Sequence, residues 1–100
     1  MDLISKEAAE SCQKRLEAIL HKLIARRDCA VDSFEVKEIV REFGSVMKQL
    51  LQIKEEKEFM LAHAQYYRDE KIRPMTDERY GEGAWDFFAL AIESFYGKES

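Results

Sequence analysis

Gly83-Ala84-Trp85-Asp86-Phe87-Phe88-Ala89-Leu90-Ala91-Ile92-Glu93-Ser94-Phe95-Tyr96 is the stretch whose reading decides the fold. Wound as a helix, it places Trp85, Phe88, Ile92, Phe95 and Tyr96 on one stripe. Phe87, Leu90 and Ala91 fall beside that stripe rather than on an opposite polar face. A helix apolar around most of its circumference has to be enclosed on several sides. Either the preceding segments wrap it, or part of it faces a ligand or a partner. Half of the six Phe residues and the only Trp lie here, so the rest of the chain is read for what covers it.

Outward from this segment, one Pro and four Gly in 100 residues give few breakers, and Glu, Lys, Leu, Ala and Gln favour helix. The expected class is all-α, a small domain of about four helices. The first runs from about residue 5 to 26, with Ser5 as N-cap and Glu7 in the positive first turn. Ala9, Cys12, Leu16, Ile19, Leu20 and Leu23 form its apolar stripe. The second, 33–53, is announced by Asp32 as a cap and Glu35 closing a capping box. It carries the cleanest period in the chain, Val36, Ile39, Val40, Phe43, Val46, Met47, Leu50 and Leu51. Gly44 inside it costs roughly 1 kcal/mol against Ala, which points to the close approach of another helix.

From Ile53 the period falters. Lys54-Glu55-Glu56-Lys57-Glu58 is continuously charged, and the next apolar group, Phe59, Met60, His63, Tyr66 and Tyr67, is out of phase. A turn near residues 54–57 followed by a third helix over 56–68 fits this pattern, with one continuous helix as the alternative. Residues 69–83 read as irregular, because Pro74 disfavours helix before it and Thr76-Asp77-Glu78 caps at most a short turn. Gly81 and Gly83 loosen the chain before the last helix, 84–96, which ends at Gly97 as a C′ glycine.

The totals limit the functions available. A hydrophobic content of 46% in 100 residues suits one domain spanning 1–100 with one core. A net charge of −4 with mixed signs gives no bulk drive toward phosphate backbones, so direct nucleic-acid binding is not expected. Nothing approaches the roughly 18 apolar residues of a membrane span, and the first residues lack a secretory pattern. The expectation is a cytoplasmic protein. Cys12 and Cys29 match no zinc spacing. Cys12 is expected to be a buried small hydrophobe, and Cys29 to sit in a connection near Arg26 and Arg27.

No catalytic constellation emerges. His21 and His63 pair with no Ser, Cys or carboxylate in a hydrolase arrangement. Gly81-Glu82-Gly83 is too short for a phosphate-cradling loop. No enzyme activity, metal or cofactor is expected. What stands out is an aromatic surplus in the second half. It fills a core, or it lines an apolar cleft with phenol groups at the rim, the composition of a small-molecule or peptide pocket.

Tyr66-Tyr67, then Asp69-Glu70-Lys71-Ile72, a loop, and Gly83-Ala84-Trp85 opening a helix that reads Phe88-Ala89-Leu90-Ala91-Ile92, is similar to the C-terminal part of TipAS-like antibiotic-recognition domains, the ligand-binding domains of MerR-type drug-sensing regulators. Those domains typically show a Tyr, an Asp-Glu-Arg-Phe-like tetrad, a loop, a Gly and a helix with an Ala-Ile pair. The match covers roughly residues 57–96, with a weaker extension back to about Leu16. The resemblance implies an all-helical, globin-like fold whose cleft receives bulky, largely apolar antibiotics such as thiopeptides. Its context is bacterial transcription regulation and antibiotic resistance. Family members often follow a helix-turn-helix region and a coiled coil; this chain shows neither, so direct transcriptional control is not expected. The cysteine that thiopeptides modify aligns near Lys54, so covalent capture is not expected either.

The expected function is therefore non-enzymatic binding of a bulky apolar small molecule or peptide antibiotic in an aromatic-lined cleft. Phe59, His63, Tyr66, Tyr67, Trp85, Phe88 and Ile92 are the candidate ligand-binding positions. The alternative is a helical interaction module, a regulator or antirepressor, that lays an exposed apolar helix face against a protein partner or a second copy of itself.

Overall fold

A computed structural model describes residues 2–97, with side chains described from Lys6 onward. Five helices follow one another: α1 Asp2–Ile24, α2 Phe34–Leu51, α3 Glu56–Arg68, α4 Ile72–Tyr80 and α5 Ala84–Tyr96. There is no strand among the described residues, and the all-α class holds. No helix is long and apolar enough to cross a membrane among the described residues.

The expected organiser, α5, contacts each of the other four helices, most extensively α3. Ala84, Phe88, Ala89, Ala91 and Ile92 are fully enclosed. The other helices direct their periodic faces to the same core: Ile19, Leu20 and Leu23 from α1, Val36, Ile39, Val40, Phe43, Val46 and Met47 from α2, and Met60, Ala64 and Tyr67 from α3.

The regular stripes run out at two ends. Ala9 is exposed and Cys12 only half-buried, because the core-facing stripe of α1 becomes fully buried only from Ile19 onward. Leu51 at the end of α2 is 51% exposed. Cys29 packs against the core from the α1–α2 connection.

Several local expectations are revised. The first helix is described from Asp2, so Ser5 lies inside it rather than at its cap; the Ser5 side chain falls outside the described residues. Ser33, not Asp32, caps α2: its hydroxyl accepts from the Val36 N–H at 3.4 Å. Glu35 is consequently one position short of where a capping box would need it. Gly97 ends α5 with a right-handed φ of −90°, leaving its left-handed freedom unused.

The charged run after α2 marks a real break, and the continuous-helix alternative fails. Gln52 turns left-handed at φ 53° and its N–H returns to the Lys48 carbonyl. Ile53 donates to the same carbonyl at 3.2 Å and packs on the core. Tertiary packing thus ends a helix that neither Gly nor Pro stops. Gly44 explains itself close by. A Cβ there would overlap the Tyr96 hydroxyl and lie 2.8 Å from Glu56 Oε2, the two groups that share a 2.6 Å hydrogen bond. Ends of α3 and α5 therefore meet over the middle of α2 because that residue has no side chain.

The largest revision is α4, which runs through the stretch read as irregular. Pro74 is its third residue, where the missing N–H has no intrahelical partner anyway and the fixed φ suits a helix. The chain enters it by a turn at Asp69: Oδ1 accepts from Lys71 N at 2.8 Å, and the Asp69 carbonyl accepts from Ile72 N and Arg73 N. Asp77 then links α4 to α5. Its carboxylate accepts from Gly83 N at 3.0 Å and Trp85 N at 3.1 Å, supplying the cap that Gly83, at φ 86°, cannot provide itself.

Candidate ligand-binding cleft

Because α4 is a helix, its residues fall into register. Ile72, Met75, Thr76, Arg79 and Tyr80 share one face and form one wall of a cleft of about 640 Å³. Gln13, Leu16, Glu17 and Leu20 of α1 stand opposite, Phe43 and Met47 of α2 lie between, and His63, Tyr66 and Tyr67 of α3 complete it. An ion pair from Arg79 to Glu17, at 3.4 Å, joins α4 to α1 at the surface.

Along α3, residues 59, 63 and 66 lie on one side, and their rings stack. His63 is nearly parallel to Phe59 at 6.1 Å and to Tyr66 at 5.2 Å between centroids. Phe43 and Tyr67 close in at 5.7 and 4.8 Å. Burial among these rings lowers the imidazole pKa to about 4, so His63 is neutral at ordinary pH and offers a hydrogen-bonding edge without charge. Tyr67 is pushed upward by burial first and by the neighbouring Tyr80 and Tyr66 phenols second. Burial likewise raises Tyr80, with Arg79 opposing. Both remain neutral phenols. Two large apolar side chains on the wall are left exposed, Tyr66 at 49% and Met75 at 60%.

The model of the TipAS antibiotic-recognition domain matches residues 1–95. The chain belongs to this family. The TipAS match extends beyond the C-terminal resemblance to include α1, which supplies one cleft wall. Comparison with curated proteins and with solved structures gives no match. The Asp69-Glu70-Lys71-Ile72 tetrad forms the turn that launches α4, with Ile72 already on the cleft wall.

The seven candidate positions separate in space. His63, Tyr66 and Tyr67 line the cleft. Phe59 stacks behind His63. Phe88 is wholly buried, with its ring 5.4 Å from both Tyr67 and Tyr80, so it backs the wall without reaching the opening. Ile92 is wholly buried in the core. Trp85 lies on the far side of α4, under the Arg73 guanidinium at 4.4 Å. The sequence reading missed the α4 wall altogether. The signal was present as the spacing 72, 75, 76, 79, 80, hidden by treating Pro74 as a stop rather than as a first-turn residue.

Electrostatic links hold the back of the site. Arg68 of α3 donates from Nε and Nη2 to the Glu93 carboxylate at 3.0 and 2.7 Å, which, with Asp86 at 3.9 Å, raises its pKa, the Glu93 bond being the main cause. No three potential metal ligands are grouped among the described residues.

Proposed function

We propose that this protein senses or sequesters a bulky, largely apolar small molecule or peptide antibiotic by reversible, non-catalytic binding in the cleft between α1, α2, α3 and α4. In this reading it works in the cytoplasm of a bacterium as the ligand-recognising part of a drug response. Membership of an antibiotic-recognition family supports the class of ligand. The observation that carries the site is the pair Tyr66 of α3 and Met75 of α4, large apolar side chains left exposed on the lining of a cleft of about 640 Å³. A ligand packed against them would bury surface that the fold leaves wet. His63, Tyr66 and Tyr67 contact the ligand, Phe59 and Phe88 set their rings, and Ile92 and Trp85 act only through packing.

The alternative, an interaction module laying an exposed apolar helix face against a protein partner or a second copy of itself, is not favoured. On α5 the residues Phe88, Ala89 and Ile92 have no exposed surface, and Leu90 is the large apolar side chain left open, at 41%.

Calorimetric titration with a panel of thiopeptides, paired with thermal unfolding, tests the proposal. Ligand at about a hundred times Kd should stabilise the fold by about 2.7 kcal/mol, visible as a clear rise in Tm. Flat heats and an unmoved Tm across the panel would sink it. Trp85 emission is a secondary readout of α4 displacement, because the indole lies outside the cleft.

A further inference from the structure

The charges and ring faces of the cleft say more than that it is apolar. The acidic and basic side chains on its wall are Glu17, Glu78 and Arg79. Arg79 is engaged by Glu17, and Glu78 has no cationic partner among the ion pairs of the described residues. The wall thus has one carboxylate in excess and no free cation. The phenols of Tyr67 and Tyr80 and the imidazole of His63 stay neutral, adding neither an anion nor a competing positive charge.

The rings show a parallel imbalance. Elsewhere on the surface, partly exposed rings are covered by guanidinium groups: Arg73 lies over Trp85 at 4.4 Å and Arg41 over Phe95 at 5.4 Å. Tyr66 stacks on His63 and meets the Tyr67 ring at a steep angle at 5.5 Å, yet it is 49% exposed and has no such cover. An exposed ring without a cation and a carboxylate without a cation, both on the lining of one cleft, suit a positive charge. The thioethers of Met47 and Met75 add polarisable, adaptable surface around it.

We propose that the cleft selects lipophilic organic cations, seating the charge against the exposed part of the Tyr66 ring and within the field of Glu78. This rests on the ligand-binding reading above. A delocalised or shielded cation is required, because a compact ammonium would lose more hydration than a ring face returns. An anionic ligand of equal size meets the unpartnered carboxylate and finds its only potential counter-charge already taken. The net charge of −4 favours approach of the same sign of ligand.

Tetraphenylphosphonium and tetraphenylborate share a four-phenyl shell and differ in the sign of charge. Titrating each into the full chain at pH 7 should show the phosphonium binding tighter by about tenfold or more. That preference should shrink in Glu78→Gln and in Tyr66→Leu, the latter keeping apolar bulk without a π face. Equal affinities, tighter borate, or a preference untouched by both substitutions would overturn cation selection. If the two ions bind equally, or neither binds, while a thiopeptide still binds, the ligand-binding reading stands and only the charge inference falls. Absence of binding by both ions and by every thiopeptide removes the two together.

Discussion

The side of α3 that meets α5 is closed, with Met60 and Ala64 at 0% exposure, whereas the cleft leaves Tyr66 of α3 at 49% and Met75 of α4 at 60%. Both sides are rich in large apolar groups, so composition does not separate them. The opposing element does. Helix α5 contributes the fully buried alanines Ala84, Ala89 and Ala91, and small side chains let helices approach until rings interlock. Across the cleft, α1 and the short α4 are joined at the surface by an exposed ion pair, Glu17 with Arg79, a type of contact worth about 1 kcal/mol or less. A packed seam results on one side and a receptive gap on the other.

The sharpest way to break this contrast is to damage the closed side. Phe88→Ala empties a fully buried ring site and should cost about 3–5 kcal/mol in urea denaturation. It should also weaken ligand binding, because Tyr67 and Tyr80 both rest on that ring. Retained stability would show that the seam is not as tightly filled as described.

Gly44→Ala comes next. Alanine is the better helix former by roughly 1 kcal/mol, yet overlap with the Tyr96 hydroxyl should make the variant less stable by about 1–3 kcal/mol. Adding Tyr96→Phe removes the overlapping atom and should restore most of the loss. A double variant no better than the single one would place the strain elsewhere.

His63 sits at the boundary between the two sides and offers a pH test. Its folded pKa, about 4, lies below the ordinary imidazole value of 6.5, so the unfolded chain takes up the proton first. Its contribution is therefore complete above about pH 6.5, is lost as pH falls toward 4, and levels off below that. The difference between wild type and His63→Phe should change over this window by on the order of 2 kcal/mol, after discounting for partial exposure. Parallel stability curves would show that the imidazole is not desolvated by its aromatic neighbours.

The open side should respond in the opposite manner. Tyr66→Ala removes a half-exposed ring and should shift unfolding by no more than about 0.5 kcal/mol, while lowering ligand affinity about tenfold. A large stability loss would make Tyr66 part of the core and erase the distinction.

Much of the scaffold was legible in the chain. The 3.6-residue period and the charged run at 54–58 marked the break before α3, and the expected bounds of α3 and α5, 56–68 and 84–96, coincide with those observed. The apolar excess of 83–96 identified the helix that touches all the others. For α4 the local cue was ambiguous: proline breaks a helix interior but suits a first turn, and only the surrounding chain determines which position it occupies.

The stretch from Gly83 to Tyr96 shows where the division falls. Its sequence determined that it is a helix, that it must be covered on several sides, and that aromatic residues from the second half lie near it. Tertiary structure decided which rings are spent on that cover and which stay open. Helical periodicity fixes the direction of each side chain from its own helix but not the width of the gap it faces. That width depends on residues far apart in sequence, such as Gly44 making room for Tyr96 and Glu56, or Phe88 filling the space behind Tyr67 and Tyr80, and it leaves Tyr66 and Met75 on the lining of the space that remains.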